Sequence, residues 1–441
     1  MKFPNFKNKN ILILGLGLLG RGVRDAIFFA EQGANVTVTD LKTKEELANS
    51  LDKLKPYQIN FTLGEHKAED ILNADLIIRN AGIPQNSLFL KLAQKNKIPV
   101  EMDESLFAKY CPCPIIGITG TRGKTTTTTL ISKILKENLP DKKIYIAGNI
   151  QGEATLPLIN KVTSNDLVVL ELSSWQLQGF HSSKISPHIA VFTNIYPDHM
   201  NSYKNMTDYI YDKKAIYKYQ TKNDYCFLNK DQAKIKNLAP EITSTIKYFS
   251  KQDVPTDWQI KIMGEHNLEN IGAAVQVAKL FKISKPQIKS SVESFFGVEH
   301  RLELVKTINK INFINDTTST TPISGQKALE SINGPIILIA GGASKQLKLD
   351  VFAKSICNRV KALILLQGTA TLELESEIKK NNCENLISGR FDNFEQAVKQ
   401  AYAISLPGDT ILLSPGCASF GMFKNEYDRG DQFKKIVNQL S

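Results

Sequence analysis

Short apolar runs that end in small or polar turn residues recur along this chain, separated by stretches of helical character. "NILILG", "ANVTVTD" (Ala34 to Asp40) and "ADLIIRN" (Ala74 to Asn80) stand in the first hundred residues, with a helix expected over 20–32. "CPIIGITG", "DLVVLELSS" (Asp166 to Ser174) and "HIAVFTNI" (His188 to Ile195) follow, then "INFINDT", "PIILIAGG", "KALILLQG" and "DTILLSPG". The run in "DLVVLELSS" is continuously apolar, which marks a strand buried on both faces. Strands alternating with helices dictate parallel, doubly wound sheets. A chain of 441 residues has room for several such cores. The expectation is an α/β protein of three domains, 1–97, 98–299 and 300–441, the outer two Rossmann-like and the central one of P-loop ATPase type. No fixed-period repeat or low-complexity segment argues for a solenoid.

Several classes are excluded. No apolar run approaches the roughly 20 residues that span a bilayer. The N-terminal "ILILGLGLLG" follows lysines but lacks a small-residue cleavage site, and Arg21 and Arg24 come at once, so it reads as strand and turn. A cytoplasmic protein without membrane insertion is expected. The net charge of +11 comes from lysines scattered among Asn and Ile. That is a solvated surface compatible with anionic small molecules, with no basic block that would point to nucleic acid. Six cysteines do not make a disulfide framework, and "CPC" (Cys111, Cys113) has no partners at zinc spacing. Reduced thiols are expected.

Two glycine loops carry the chemistry. "GLGLLG" (Gly15 to Gly20) follows a strand, and Asp40 lies twenty residues past Gly20, so the pattern fits a dinucleotide turn with the acid on a ribose hydroxyl. The same turn accepts any diphosphate, because backbone N–H groups and a helix N-terminus face the anion. "GITGTRGKTTTTTL" (Gly117 to Leu130) departs from the strict P-loop spacing, since Gly117 sits six residues before Gly123. Its working end does match: Gly120, Gly123, Lys124 and Thr125. The glycines let N–H groups approach phosphates, the lysine reaches the terminal phosphates, and the threonine hydroxyl can ligate Mg²⁺.

Other residues could complete a site. Glu171 ends a strand, where ligands bind in doubly wound sheets and where a carboxylate can hold Mg²⁺. His199, in "NIYPDHMN", follows the next strand. Asp316 and Lys345 follow strands of the last third. Lys213, in "DYIYDKKAIY", reads as an ordinary exposed helix lysine with no task.

The set "GTRGKTT", "LELSSWQL", "NIYPDHM", "GEHNLEN", "HRLE", "INDTTST", "AGGASK" and "SPGCASFGMFKN" resembles the Mur ligase family, in order and over essentially the whole chain. The C-terminal "SPGCASFGMFKNEYDRG" is similar to the branch that adds D-glutamate. The resemblance implies an ATP-dependent ligase joining D-glutamate to UDP-N-acetylmuramoyl-L-alanine through an acyl phosphate, in peptidoglycan precursor synthesis for the cell wall. It implies that the first loop, with Gly15, Leu16, Gly17, Asp40, Leu41, Lys42, Asn80 and Gly82, holds the UDP-sugar. Asn149, Ser173 and His199 would face its muramoyl-alanine part. The central loop, Gly120, Thr121, Arg122, Gly123, Lys124, Thr125 and Thr126, would hold ATP, with Asn267 and Asn270 near adenine, Arg301 on the phosphates and Asp316 on the ribose. Two Mg²⁺ ions would be held by Thr125, Glu171, His199 and Lys213. Lys213 would be N-carboxylated by CO₂, because an ammonium repels Mg²⁺ whereas a carbamate ligates it. Lys124, His199 and Lys213 would be the catalytic residues. Thr320, Lys345 and Ser419 would receive the D-glutamate carboxylates, and closure of the third domain would exclude water. The chain departs from the family pattern at Asn80, Thr318 and Glu426. A monomer acting on small molecules is expected.

Alternatives remain at the level of sequence. Another amino-acid-adding Mur ligase, or a ligase adding glutamate to folate, would differ in its acceptor pocket; the Asp-Asn-Pro-Arg motif of diamino-acid adders is absent. A nicotinamide-dependent oxidoreductase would use "GLGLLG" and leave "GTRGKTT" unexplained. A non-catalytic nucleotide switch would use the central loop without ligation.

Overall fold

The computed structural model describes residues 3–17, 20–150, 155–198, 203–262, 264–345 and 347–440. The chain forms two compact units, Met1–Trp258 with Leu268–Val292, and Gln259–Asn267 with Glu293–Ser441.

The first unit holds two sheets. β1 (Asn10–Leu14), β2 (Asn35–Asp40), β3 (Ile59–Leu63), β4 (Leu76–Arg79) and β5 (Val100–Glu101) are ordered β3-β2-β1-β4-β5, all parallel. β5 lies past residue 97 and completes this first sheet. β6 (Ile115–Thr119), β7 (Ile144–Gly148), β8 (Leu167–Glu171), β9 (Ile189–Phe192), β10 (Tyr225–Asn229) and β11 (Thr245–Phe249) are ordered β11-β10-β9-β6-β8-β7, again all parallel.

The apolar runs are buried on both faces, as their composition requires. In β1, Ile11 and Ile13 enter a core that continues through Leu106, Phe107 and Ile115 into the second sheet, while Leu12 and Leu14 pack on the opposite side with Ile71 and Ile77. One core therefore joins the two sheets of this unit. β6 and β8 are neighbours with β9 on the far side of β6, so Thr119, Glu171 and Phe192 end side by side. The loops after these ends are where a parallel sheet offers a binding crevice.

The second unit contains β12 (Glu303–Ile308), β13 (Ile311–Asn315), β14 (Ile336–Gly341), β15 (Val360–Leu366), β16 (Ile387–Phe391) and β17 (Thr410–Leu413), ordered β12-β13-β17-β14-β15-β16. β12 runs antiparallel to β13; every other pair is parallel. Alternate residues again enter opposite cores: Leu338 and Leu412 on one face, Ile337, Ile339 and Ile411 on the other. Cys357, in the helix Asp350–Arg359, and Cys383 form a single disulfide, with their Cα atoms 5.9 Å apart. Cys111, Cys113, Cys226 and Cys417 are free. No helix among the described residues is long and apolar enough to cross a membrane.

Candidate active site

The central loop is shaped by contacts that leave no space for side chains at two glycines. Gly120 has φ 149, and a Cβ there would lie 1.9 Å from Thr193 Oγ1. Gly123 begins the helix Lys124–Asn138 in the left-handed region (φ 77), and a Cβ there would lie 2.1 Å from Asn270 Oδ1. The loop is tied down by its neighbours. Asn194 Oδ1 accepts from Arg122 N at 2.8 Å, Asn194 Nδ2 donates to Arg122 O at 3.1 Å, and Thr193 Oγ1 donates to the same carbonyl at 2.7 Å. Thr127 Oγ1 bonds Asn270 Oδ1 at 3.3 Å, and Thr121 Oγ1 lies 3.1 Å from the Tyr209 hydroxyl. A loop held this way presents backbone N–H groups in a fixed arrangement, the requirement for an anion cradle.

Two lysines meet on one carbonyl. Lys124 Nζ donates to Gly120 O and Thr121 O, each at 3.1 Å, and Lys213 Nζ donates to Gly120 O at 2.9 Å. Lys213, read from sequence as exposed, is 1% exposed, because the helix Met206–Lys214 turns that side chain inward against the loop. Burial pushes its amine well below the ordinary lysine range, the nearby Lys124 charge adds to this, and Asp198, Asp212 and Glu171 oppose it.

Glu171, 2% exposed, accepts from Asn149 Nδ2 at 2.9 Å through Oε1, while its buried Oε2 has no hydrogen-bond partner among the described residues. A buried carboxylate oxygen with nothing to accept from is costly unless a cation serves it. Such an oxygen suits a hard cation such as Mg²⁺, and Thr125, in the first turn of the helix Lys124–Asn138, carries a second oxygen donor of the same kind. His199 lies outside the described residues. Ser173 caps the helix Ser174–Ser183, accepting from Gln176 N at 3.3 Å.

The first glycine loop is also built from within. Asp40 spends both carboxylate oxygens on backbone, accepting from Gly17 N and Lys42 N at 2.9 Å each. Asn80 Oδ1 accepts from Gly82 N at 3.1 Å, and a Cβ at Gly15 would stand 3.2 Å from Asn80 Cβ. Gly15, Gly17, Asp40, Asn80 and Gly82 therefore come together. Leu16 is fully buried, main chain included, whereas Leu41 is exposed.

In the second unit, Lys345 Nζ donates to Thr320 Oγ1 at 2.7 Å beside a small cleft that Ser344, Leu347 and Cys417 also line. Ser419 Oγ is buried and lacks a partner among the described residues. Asp316 accepts from Ser414 Oγ at 2.7 Å and Leu302 N at 3.2 Å; burial pushes its carboxyl up to about 6, against the pull of Ser319, Ser414 and Arg301. Asn267 N donates to Gly264 O at 2.9 Å.

Sequence reasoning passed over several residues. Thr193 and Asn194 grip the central loop. Buried Arg79, at the end of β4, donates to Gln178 Oε1 at 2.7 Å, and Gln178 Nε2 donates at 2.6 Å to Asp212, the neighbour of Lys213. These partners are 99 and 34 residues apart, so no local pattern could have paired them.

Comparison with known proteins identifies the family. Residues 9–101 match the Mur ligase MurD-like N-terminal domain, 118–259 the Mur ligase middle domain and 300–417 the Mur ligase glutamate ligase domain. The UDP-N-acetylmuramoylalanine–D-glutamate ligase of Roseiflexus sp. (strain RS-1) is 40% identical, over 98% of this chain and 99% of that one. The chain belongs to the Mur ligase family. A second ligase of that name, from Borreliella afzelii (strain PKo), is 37% identical to this Mur ligase over 100% of both chains. Among solved structures, the UDP-N-acetylmuramate-alanine ligase MurC of Thermotoga maritima shares its fold with a TM-score of 0.59 at 17% identity, covering 98% of this chain and 99% of that one. The MurF ligase of Thermotoga maritima in complex with ADP has a TM-score of 0.57 at 15% identity, covering 98% and 96%.

Proposed function

We propose that this Mur ligase joins the L-alanyl carboxylate of UDP-N-acetylmuramoyl-L-alanine to the amino group of D-glutamate, splitting ATP to ADP and phosphate, in peptidoglycan precursor synthesis. The observation that carries the reading is the meeting, at the ends of β6 and β8, of a phosphate-type loop, a buried carboxylate with an unserved oxygen and a buried lysine.

A carboxylate cannot be attacked by an amine at neutral pH, because oxide would have to leave. Its oxygen therefore attacks the γ-phosphorus of ATP, ADP departs, and an acyl phosphate forms. The D-glutamate nitrogen then attacks the acyl carbon, sheds a proton, and phosphate leaves. The loop from Gly120 to Thr126 would bind the phosphates through its N–H groups, and Lys124 would exchange its two carbonyl partners for the transferring group. Thr125, Glu171, His199 and Lys213 as its carbamate would hold two Mg²⁺ ions. When bound, these offset the repulsion between a carboxylate and a triphosphate. The depressed basicity of Lys213 supports the carbamate, since only an unprotonated amine adds to CO₂.

Asn267, Asn270, Arg301 and Asp316 would serve adenine, phosphates and ribose; Thr320, Lys345 and Ser419 would serve D-glutamate. The first loop would take the UDP group. A three-domain division, with the first boundary moved from residue 97 to beyond β5 and the other kept at residue 300, a monomer and a cytoplasmic setting belong to the same reading. The test is phosphate release from ATP with UDP-N-acetylmuramoyl-L-alanine, with and without D-glutamate. Sustained release should need both, and release with L-lysine but not D-glutamate would overturn the acceptor.

A further inference from the structure

Arg21 opens the helix Arg21–Glu31, directly after the first glycine loop, yet its side chain leaves that sheet for the end of β7. Its Nη2 donates to Gly148 O at 3.0 Å and to Asn149 Oδ1 at 3.2 Å, and its Nη1 lies 3.7 Å from Glu104 Oε1. Asn149 in turn grips Glu171 twice, by its backbone N to Glu171 O at 2.7 Å and by Nδ2 to Glu171 Oε1 at 2.9 Å. The strand end is pressed so closely on Glu171 that a Cβ at Gly148 would stand 2.1 Å from its carbonyl oxygen.

We infer that Arg21 is a positioning residue for the metal-binding carboxylate, acting through the Asn149 amide. An asparagine amide has one accepting end and one donating end, and a guanidinium can only donate. Arg21 on the oxygen therefore forces the NH₂ toward Glu171. That NH₂ occupies Oε1 and leaves Oε2 buried without a hydrogen-bond partner among the described residues, free to serve a cation. With the amide reversed, its oxygen would face a carboxylate oxygen, and the geometry of Glu171 would be lost.

Arg21 is itself held by acids. Glu104 is anchored by Gln176 Nε2, and Asp103, beside it, accepts from Leu156 N at 2.7 Å. Asp25, Asp103 and Glu104 are all buried; burial pushes the Asp25 carboxyl well up and that of Asp103 up to about 8, which leaves Glu104 as the acid at ion-pair distance from the guanidinium. The helix that follows the first glycine loop thus sets the orientation of a carboxylate on the second sheet.

The inference rests on the reading of Glu171 as a Mg²⁺ ligand, and the test separates the two. Mn²⁺ binding to the full-length enzyme with a non-hydrolysable ATP analogue is titrated by electron paramagnetic resonance for Arg21→Gln, Asn149→Ala, the double variant and Glu171→Gln. Melting temperatures report folding, and Arg21→Lys, which keeps the cation among the acids, covers the case in which Arg21→Gln does not fold. Each single change at Arg21 or Asn149 should weaken Mn²⁺ binding by about tenfold, the usual cost of losing a partner behind a ligand. The double variant should lose no more than Asn149→Ala alone, because both act along one path. The Mg²⁺ concentration for half-maximal phosphate release should rise in parallel, with KM for D-glutamate unchanged. Additive losses in the double variant, or wild-type Mn²⁺ affinity in Arg21→Gln beside a defective Glu171→Gln, overturn the role of Arg21 and leave Glu171 standing. Wild-type Mn²⁺ affinity in Glu171→Gln overturns both.

Discussion

Gly120→Ala should cripple nucleotide binding while leaving the fold in place. The added methyl would sit 1.9 Å from Thr193 Oγ1 and 3.1 Å from Asn194 N, on a backbone with φ 149 that side chains rarely adopt. The strained dihedral costs about 1–2 kcal/mol. Thr193 must also move, and its hydrogen bond to Arg122 O is lost, for a further 1–2 kcal/mol or about that. Together about 2–4 kcal/mol weighs on the loop conformation that the phosphates need, which is roughly a thirty- to several-hundredfold loss of affinity. Isothermal titration with ADP or a non-hydrolysable ATP analogue measures it directly. Adding Thr193→Ala removes the nearest atom and should return part of the loss, so the two changes are non-additive. Nucleotide affinity in Gly120→Ala within twofold of the wild type would refute the argument that this glycine is needed for close packing.

Further outcomes are expected. Lys213→Ala should lose activity by at least about a hundredfold, and short carboxylates such as acetate or formate should restore part of it; no restoration at any concentration would remove the carbamate. Asp316 titrates in the folded chain near pH 6, above the value of about 3.9 for a free aspartate, so the folded state holds that proton more tightly. The stability this contributes is complete below about pH 4 and is lost as the pH rises through 6, a change of about 2–3 kcal/mol. Melting curves of Asp316→Asn should lack that decline between pH 4 and 7 relative to the wild type. Arg79→Met leaves Gln178 Oε1 and the Asp212 carboxylate buried without their cation, and should cost about 2–4 kcal/mol, read as a lower melting temperature.

The central strands were legible because burial on both faces forces unbroken apolar runs, as in β1, β8, β14 and β17. The edge strands were not. β3 (INFTL) and β11 (TIKYF) are largely unburied, so their composition is mixed and no run stands out. β12 hid for another reason: it is the antiparallel member, joined to β13 by Asn309 and Lys310 at φ 51 and 63, a tight turn whose asparagine is its only local sign. In the site, both glycine loops announced themselves, since close backbone approach leaves few residue choices. Lys213 did not, because its helix is polar on average and burial there comes from docking against a loop 93 residues upstream. Arg21 and Arg79 were hidden likewise, as their partners lie on other elements.

The bonding of Asp40 changes how experiments on the first loop are to be interpreted. Removing this aspartate would let go of the amides of Gly17 and Lys42 at once, so the turn would lose its shape before any nucleotide arrived. An alanine scan would score the position as essential whether or not it ever touches uridine, and chemical-shift changes in the unliganded enzyme, rather than lost turnover, would tell the two apart.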